Sequence, residues 1–187
     1  MLVVFEGPDG GGKGAQIQLL KAERPDAVVF KYPTRNYQML NDYLEKKVSI
    51  DSKSLFLLFL ADIAQEQEKV KAALAQGKLV ILDRYVFSTI AYEVNGISYE
   101  HGKRIVENVG FLKPDKVILL DIAPEVSQAR KRKQKELDRY EENAAYLGTV
   151  RSNFLKLHGE RFLTPNWHKI DAGRGIDEVH AGIMKLF

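Results

Sequence analysis

The chain has 187 residues, 45% of them hydrophobic and 28% charged, with a net charge of +3 and no cysteine. These values describe one soluble domain with a substantial core, and they exclude a disordered chain, a disulfide framework, a thiolate metal site and a cysteine nucleophile. A charge this small does not support nucleic-acid binding, and the longest apolar run, 55 to 61, is too short for a membrane span.

Residues 2 to 6, LVVFE, read as a buried parallel strand that enters its fold without a basic, cleavable leader, which predicts a cytoplasmic protein. The strand empties into GPDGGGK, in which Gly7, Gly12 and Lys13 have the GxxxxGK spacing of a phosphate-binding loop. Glycines let successive N–H groups turn inward, the following helix aims its positive end at the phosphates, and Lys13 adds a full charge. Ile17, Leu19 and Leu20 give that helix an apolar face. The motif usually ends in Ser or Thr, whose hydroxyl ligates Mg²⁺; here Gly14 and Ala15 follow the lysine.

Further strands are expected at 27 to 31, 79 to 83, 117 to 121 and 168 to 171, with helices between them. The longest helical pattern, 53 to 76, is apolar almost all round in its first half, with Gly77 as its stop. Its apolar face fits burial within the monomer or packing against a second subunit. Strand and helix in alternation predict an α/β fold with a parallel sheet and helices on both faces. Three strands end in an acid, Glu6, Asp83 and Asp121, and ligands in such sheets bind beyond the strands' carboxyl ends. The run from 130 to 139 holds six basic residues, and a helix there would place Arg132, Lys135 and Arg139 on one face. A solvated surface and a lid that closes on phosphates both fit.

The segment DRYVFSTIAYE, with Asp83, Arg84, Ser88 and Tyr92, joins the phosphate loop in a pattern that closely resembles thymidylate kinases, which phosphorylate dTMP from ATP. The resemblance continues through YPTR at 32 to 35, FLADIAQ at 59 to 65, KPDKVILLDIAPEVSQAR and KELDRYEEN, essentially the whole chain. It implies a single domain over 1 to 187 with a three-layer P-loop kinase fold, a five-stranded parallel sheet, and a basic lid at about 130 to 146. It also implies ATP and Mg²⁺ as cofactors, small-molecule nucleotides as partners, and a homodimer.

Position by position, the resemblance assigns Gly7, Pro8, Asp9, Gly10, Gly11, Gly12, Lys13, Gly14 and Ala15 to ATP, together with Arg130, Arg132 and Ala172. Asp9 also serves the acceptor's site, where Arg35 and Arg84 would hold the phosphate in forked, charge-assisted hydrogen bonds. Pro33 and Ile63 would line the acceptor site, Phe59 would stack on the base, Ser88 would hold its polar edge, Tyr92 would sit against the sugar, and Tyr140 would lie nearby. Asp9, Lys13, Arg84 and Arg132 are the catalytic residues so implied, with Asp83 reaching the metal through water.

Three positions depart from the family pattern. Gly14 removes a metal ligand, as in adenylate kinases, and predicts activity with a weakened metal dependence on the loop. Gln134 replaces the third arginine of an Arg-x-Arg-x-Arg lid, where Lys133 or Lys135 could substitute. Ile63 stands where the family carries an arginine that hydrogen-bonds thymine, which predicts relaxed or redirected base selectivity. The alternatives are another nucleoside monophosphate kinase or a weakly catalytic ATP-binding protein.

Overall fold

The computed structural model describes residues 1–132 and 144–187, without the side chains of Lys131, Arg132 and Ala144. In chain order the elements are β1 (Leu2–Glu6), α1 (Lys13–Glu23), β2 (Val28–Lys31), α2 (Gln38–Leu44), α3 (Ser52–Ala64), α4 (Gln67–Ala75) and β3 (Val80–Asp83). There follow α5 (Val86–Tyr92), α6 (Tyr99–Val109), β4 (Lys116–Asp121), α7 (Pro124–Arg132), α8 (Ala144–Gly159), β5 (Trp167–Asp171) and α9 (Ile176–Met184). The five strands pair in parallel in the order β2-β3-β1-β4-β5.

A parallel strand covered on both faces needs apolar side chains at every position rather than at alternate ones. The central strand β1 meets that requirement. Leu2 and Val4 enter one core with Leu82, Leu119, Phe87 and Phe154, which α3, α5 and α8 cover. Val3 and Phe5 enter the opposite core with Ile81, Ile118 and Leu120, covered by Ile17 and Leu20 of α1 and by Val179 and Ile183 of α9. Every strand therefore delivers its carboxyl end, and the loop after it, to the same edge of the sheet. All five strands lie where the apolar runs put them, with ends displaced by no more than one residue.

The helix expected over 53 to 76 is instead two helices that meet at Gln65–Glu66. Glu66 closes the first with a three-residue bond from its N–H to Ile63 O at 3.2 Å. The break frees Gln67, whose Oε1 accepts from Tyr85 Oη at 2.9 Å and from the Leu112 N–H at 3.0 Å. Those bonds lie across the fold and leave no trace in a helical period. Gly77 stops the second helix in the left-handed region, φ 73°.

Candidate active site

The loop after β1 needs glycine for room as well as for turning. Gly7 has φ 134°, and a Cβ there would lie 2.3 Å from Leu120 O on β4. At the loop's far end Gly12 (φ 81°) precedes α1, whose N-terminus has no side-chain cap and no acid in its first turn. The first amides of a helix lack intrahelical partners, so here they remain open to a ligand's oxygens, with the helix dipole behind them. Lys13 is only 7% exposed, and its Nζ donates to Gly7 O at 2.7 Å and Pro8 O at 3.0 Å. Burial, reinforced by the Arg84 charge, lowers its pKa to about 7, against the pull of Asp9, Asp83 and Glu6.

The opposite wall is built by the turn after β3. The Arg84 N–H donates to Phe5 O at 3.0 Å, and Arg84 itself sits in the left-handed region at φ 72°. Its guanidinium donates to Asp9 Oδ1 at 2.5 Å and to Ser88 Oγ at 3.0 Å, with Tyr92's ring centroid 5.3 Å away. Burial works against this charge, yet Asp9, Tyr92, Glu6 and Asp83 together hold the pKa above the ordinary arginine value. Tyr92 Oη donates to Asp9 Oδ2 at 3.0 Å and accepts from the Asp9 N–H at 3.1 Å. Asp9, Arg84 and Tyr92, chosen from distant parts of the sequence, therefore meet in one network.

Between the two walls lies a cleft of about 560 Å³, lined by the loop from Asp9 to Gln16 together with Lys31, Asp83, Arg84, Arg130 and Ala172. Asp83 Oδ2 pairs with Lys31 Nζ at 3.2 Å. Arg130 reaches across from α7 to the carbonyls of Ala172 at 2.8 Å and Gly10 at 3.4 Å, tying the loop after β5 to the phosphate loop. Among the described residues no three His, Cys, Asp or Glu side chains group as a metal cage. Of the two carboxylates lining the cleft, Asp9 is bonded to Arg84 and Tyr92, and Asp83 without a caging set suits Mg²⁺, which keeps most of its waters and binds chiefly through phosphate oxygens.

Several expected residues are not part of that cleft's lining. Ser88 donates its hydroxyl proton to Glu6 Oε2 at 2.6 Å and accepts from Arg84 at 3.0 Å, so it braces the arginine. Ile63 is 2% exposed and belongs to the main core with Tyr32 and Phe56. Phe59 is half-buried against the small cluster of Leu40, Tyr43 and Leu55, and Pro33 is half-buried in the loop after β2. Arg35 is exposed at φ 67° on that same loop, which Asp62 anchors by accepting from the Thr34 N–H at 2.8 Å and from the Thr34 hydroxyl. The Arg132 side chain and Tyr140 lie outside the described residues, as do Lys133, Gln134, Lys135 and Arg139. Sequence reasoning missed Lys31 and Asp62; Lys31 ends a strand beside the one that ends in Asp83, a pairing visible only once β2 and β3 are in register.

Open helix amides and a lysine on one side of a cleft, and a braced arginine on the other, make a P-loop phosphotransferase that works between two phosphate-bearing substrates. The thymidylate kinase family model matches residues 5–183. Thymidylate kinases from Danio rerio and Homo sapiens are 32% and 31% identical to this chain, each over 99% of it and 88% of the relative. A solved thymidylate kinase from Candida albicans superposes with a TM-score of 0.81 at 26% identity, covering 99% of this chain and 89% of the other. The chain belongs to the thymidylate kinase family: it is a nucleoside monophosphate kinase that transfers a phosphoryl group from ATP to dTMP, giving dTDP. Among the described residues no helix is long and apolar enough to cross a membrane.

Proposed function

We propose that the donor triphosphate lies on the amides of residues 10 to 15 with Lys13, and that Arg84 and Arg35 hold the phosphate of dTMP opposite it. The observation that carries this is the uncapped N-terminus of α1 facing the same cleft as Arg84. Phosphoryl transfer asks little covalent chemistry of a protein; it needs two phosphates in line and positive charge where negative charge accumulates. Lys13 supplies that charge on the donor side. Arg84, already fixed by Asp9 and Ser88, meets the acceptor with little reorganisation. Asp9 keeps Arg84 oriented while Tyr92, bonded to Asp9, closes the wall beside the acceptor's sugar.

Mg²⁺ would be held by the nucleotide phosphates and, through water, by Asp83, and it supplies charge neutralisation at the transferred group when bound. Arg130, joined to the carbonyls of Gly10 and Ala172, shapes the donor side, and Arg132 at the end of α7 is assigned to the ATP as the start of the lid. The family resemblance supports a cytoplasmic homodimer. Leu57, 53% exposed on α3, offers that helix apolar surface for a second subunit.

We also assign this enzyme a looser reading of the base than an arginine at 63 would give. No cationic side chain comes from that turn of α3, and the neighbouring Asp62 is committed to Thr34 and Gln65. The Candida albicans relative has a broad substrate specificity, which supports this reading. The test of the main assignment is a coupled kinetic assay with ATP and dTMP. Lys13→Met is expected to lose turnover and Arg84→Met to raise the KM for dTMP; retention of both activities overturns it.

A further inference from the structure

Glu6 ends the central strand with 0% exposure, one residue before the phosphate loop, and phosphate chemistry gives it no task of its own. Its carboxylate points toward the neighbouring strand's turn. Oε1 accepts from the Tyr85 N–H at 2.8 Å and the Ser88 N–H at 3.0 Å, and Oε2 accepts from the Ser88 hydroxyl at 2.6 Å. Tyr85 and Ser88 are the N-cap residue and the third residue of α5, and the N-cap side chain makes no capping bond. Glu6 therefore caps a helix from another element: it takes the N-cap residue's own N–H and shares the Ser88 N–H with Tyr85 O, which lies at 3.0 Å.

Arg84 immediately precedes that capped turn and holds a left-handed φ of 72°, which a non-glycine residue keeps only where its surroundings impose it. Glu6 fixes the two amides that follow, and the Phe5 carbonyl, one residue upstream of Glu6, takes the Arg84 N–H. Ser88 then passes the constraint to the side chain, donating to Glu6 and accepting from Arg84 at 3.0 Å. All three bonds are donated to Glu6, as a carboxylate requires, while full burial raises its pKa against the pull of Arg84, Ser88, Lys13 and the Tyr85 N–H.

We propose that Glu6 is a positioning residue for the acceptor site: by capping α5 and gripping Ser88 it aims the Arg84 guanidinium at the phosphate of the nucleoside monophosphate. The proposal rests on the assignment of Arg84 to that phosphate. Misplacement of a binding group by about 1 Å can cost up to about a hundredfold, and Glu6→Gln, which keeps the shape and one acceptor but removes the charge, is a milder change. The measurements are calorimetric dissociation constants for dTMP and, as the donor-site probe, ADP, on the full chain.

Glu6→Gln is expected to weaken dTMP about tenfold and ADP by less than about twofold, the acceptor-selective loss that positioning of Arg84 demands. Ser88→Ala, which leaves Glu6's two amide bonds in place, is expected to show the same selectivity at about threefold. Equal weakening of both ligands, or unchanged dTMP binding in both variants, overturns the proposal and leaves Glu6 as part of the fold alone. Arg84→Met is measured beside them. If it binds dTMP normally, the assignment of Arg84 to the acceptor is what fails, whatever Glu6 does.

Discussion

Lys13 should bind nucleotide by taking up a proton. In the free enzyme its Nζ faces the carbonyls of Gly7 and Pro8, two acceptors that match the two N–H groups of a neutral amine, and burial lowers the pKa from 10.5 to about 7. A polyphosphate beside the amine restores the charged form. The bound pKa then lies above the free one, so protons are absorbed on binding at every pH between the two, and affinity falls as pH rises. With a free pKa of about 7 the uptake is about 0.1 proton at pH 6, about 0.5 at pH 7 and about 0.9 at pH 8. The association constant for ADP should accordingly drop about fivefold from pH 7 to 8 and about ninefold from pH 8 to 9. Above pH 8 the terminal phosphate, with a second pKa of about 6, no longer titrates, so the remaining slope belongs to the protein. Calorimetry at pH 8.5 in two buffers of different ionisation enthalpy reads the uptake directly. A value below about 0.2 proton, or a flat affinity from pH 7 to 9, refutes the reasoning, and Lys13→Met must abolish the slope. The same depressed pKa bears on stability. The unfolded chain binds this proton more tightly, so the lysine costs stability fully below about pH 7, and the cost fades toward pH 10.5. Lys13→Met should therefore raise the Tm of the free enzyme at pH 7.

Other residues give shorter tests. Tyr32 Oη is buried with no hydrogen-bond partner among the described residues, and an unmet buried hydroxyl costs about 1–3 kcal/mol. Tyr32→Phe should raise Tm by several degrees, at about 2–4 °C per kcal/mol, and a fall in Tm would show the hydroxyl to be bonded. A pocket reading its base by apolar fit discriminates about 10–200-fold. Measured kcat/KM for dTMP, dUMP, dCMP, dGMP and AMP should show a dTMP preference of that order over dUMP, and a preference above about ten-thousandfold over every competitor defeats the idea. Gly14 has nothing within 4 Å of an added Cβ. Gly14→Thr should therefore fit and lower the Mg²⁺ concentration needed for half-maximal rate; an unchanged requirement counts against a missing loop ligand.

The phosphate loop was legible in the sequence because its parts are covalent neighbours. A strand, a loop that must contain Gly7 to pass Leu120, and a helix whose first residue is Lys13 are fixed by spacing, and no tertiary contact is needed to recognise them. The strands were legible for a related reason. A central parallel strand must be apolar on both faces, and Val3 and Val4 enter opposite cores. What periodicity could not show was where tertiary bonds override it. Gln67 leaves the helical line to reach Tyr85 and Leu112, and one expected helix becomes two.

The Arg84 wall of the cleft is a different kind of object, assembled from segments far apart in the chain. Glu6 meets its partners 79 and 82 residues away, and Arg84 meets Asp9 at a separation of 75. Those meetings depend on the register that sets Phe5 opposite Asp83, since a shift of one residue would carry Arg84 away from the loop it braces. Ser88 illustrates the consequence. The family resemblance assigned it to the polar edge of a base; in the structure its hydroxyl serves a buried carboxylate and a guanidinium that must be held off its many rotamers. A motif specifies which side chains arrive at a cleft; the strand register and the buried carboxylate beside it decide which way they face.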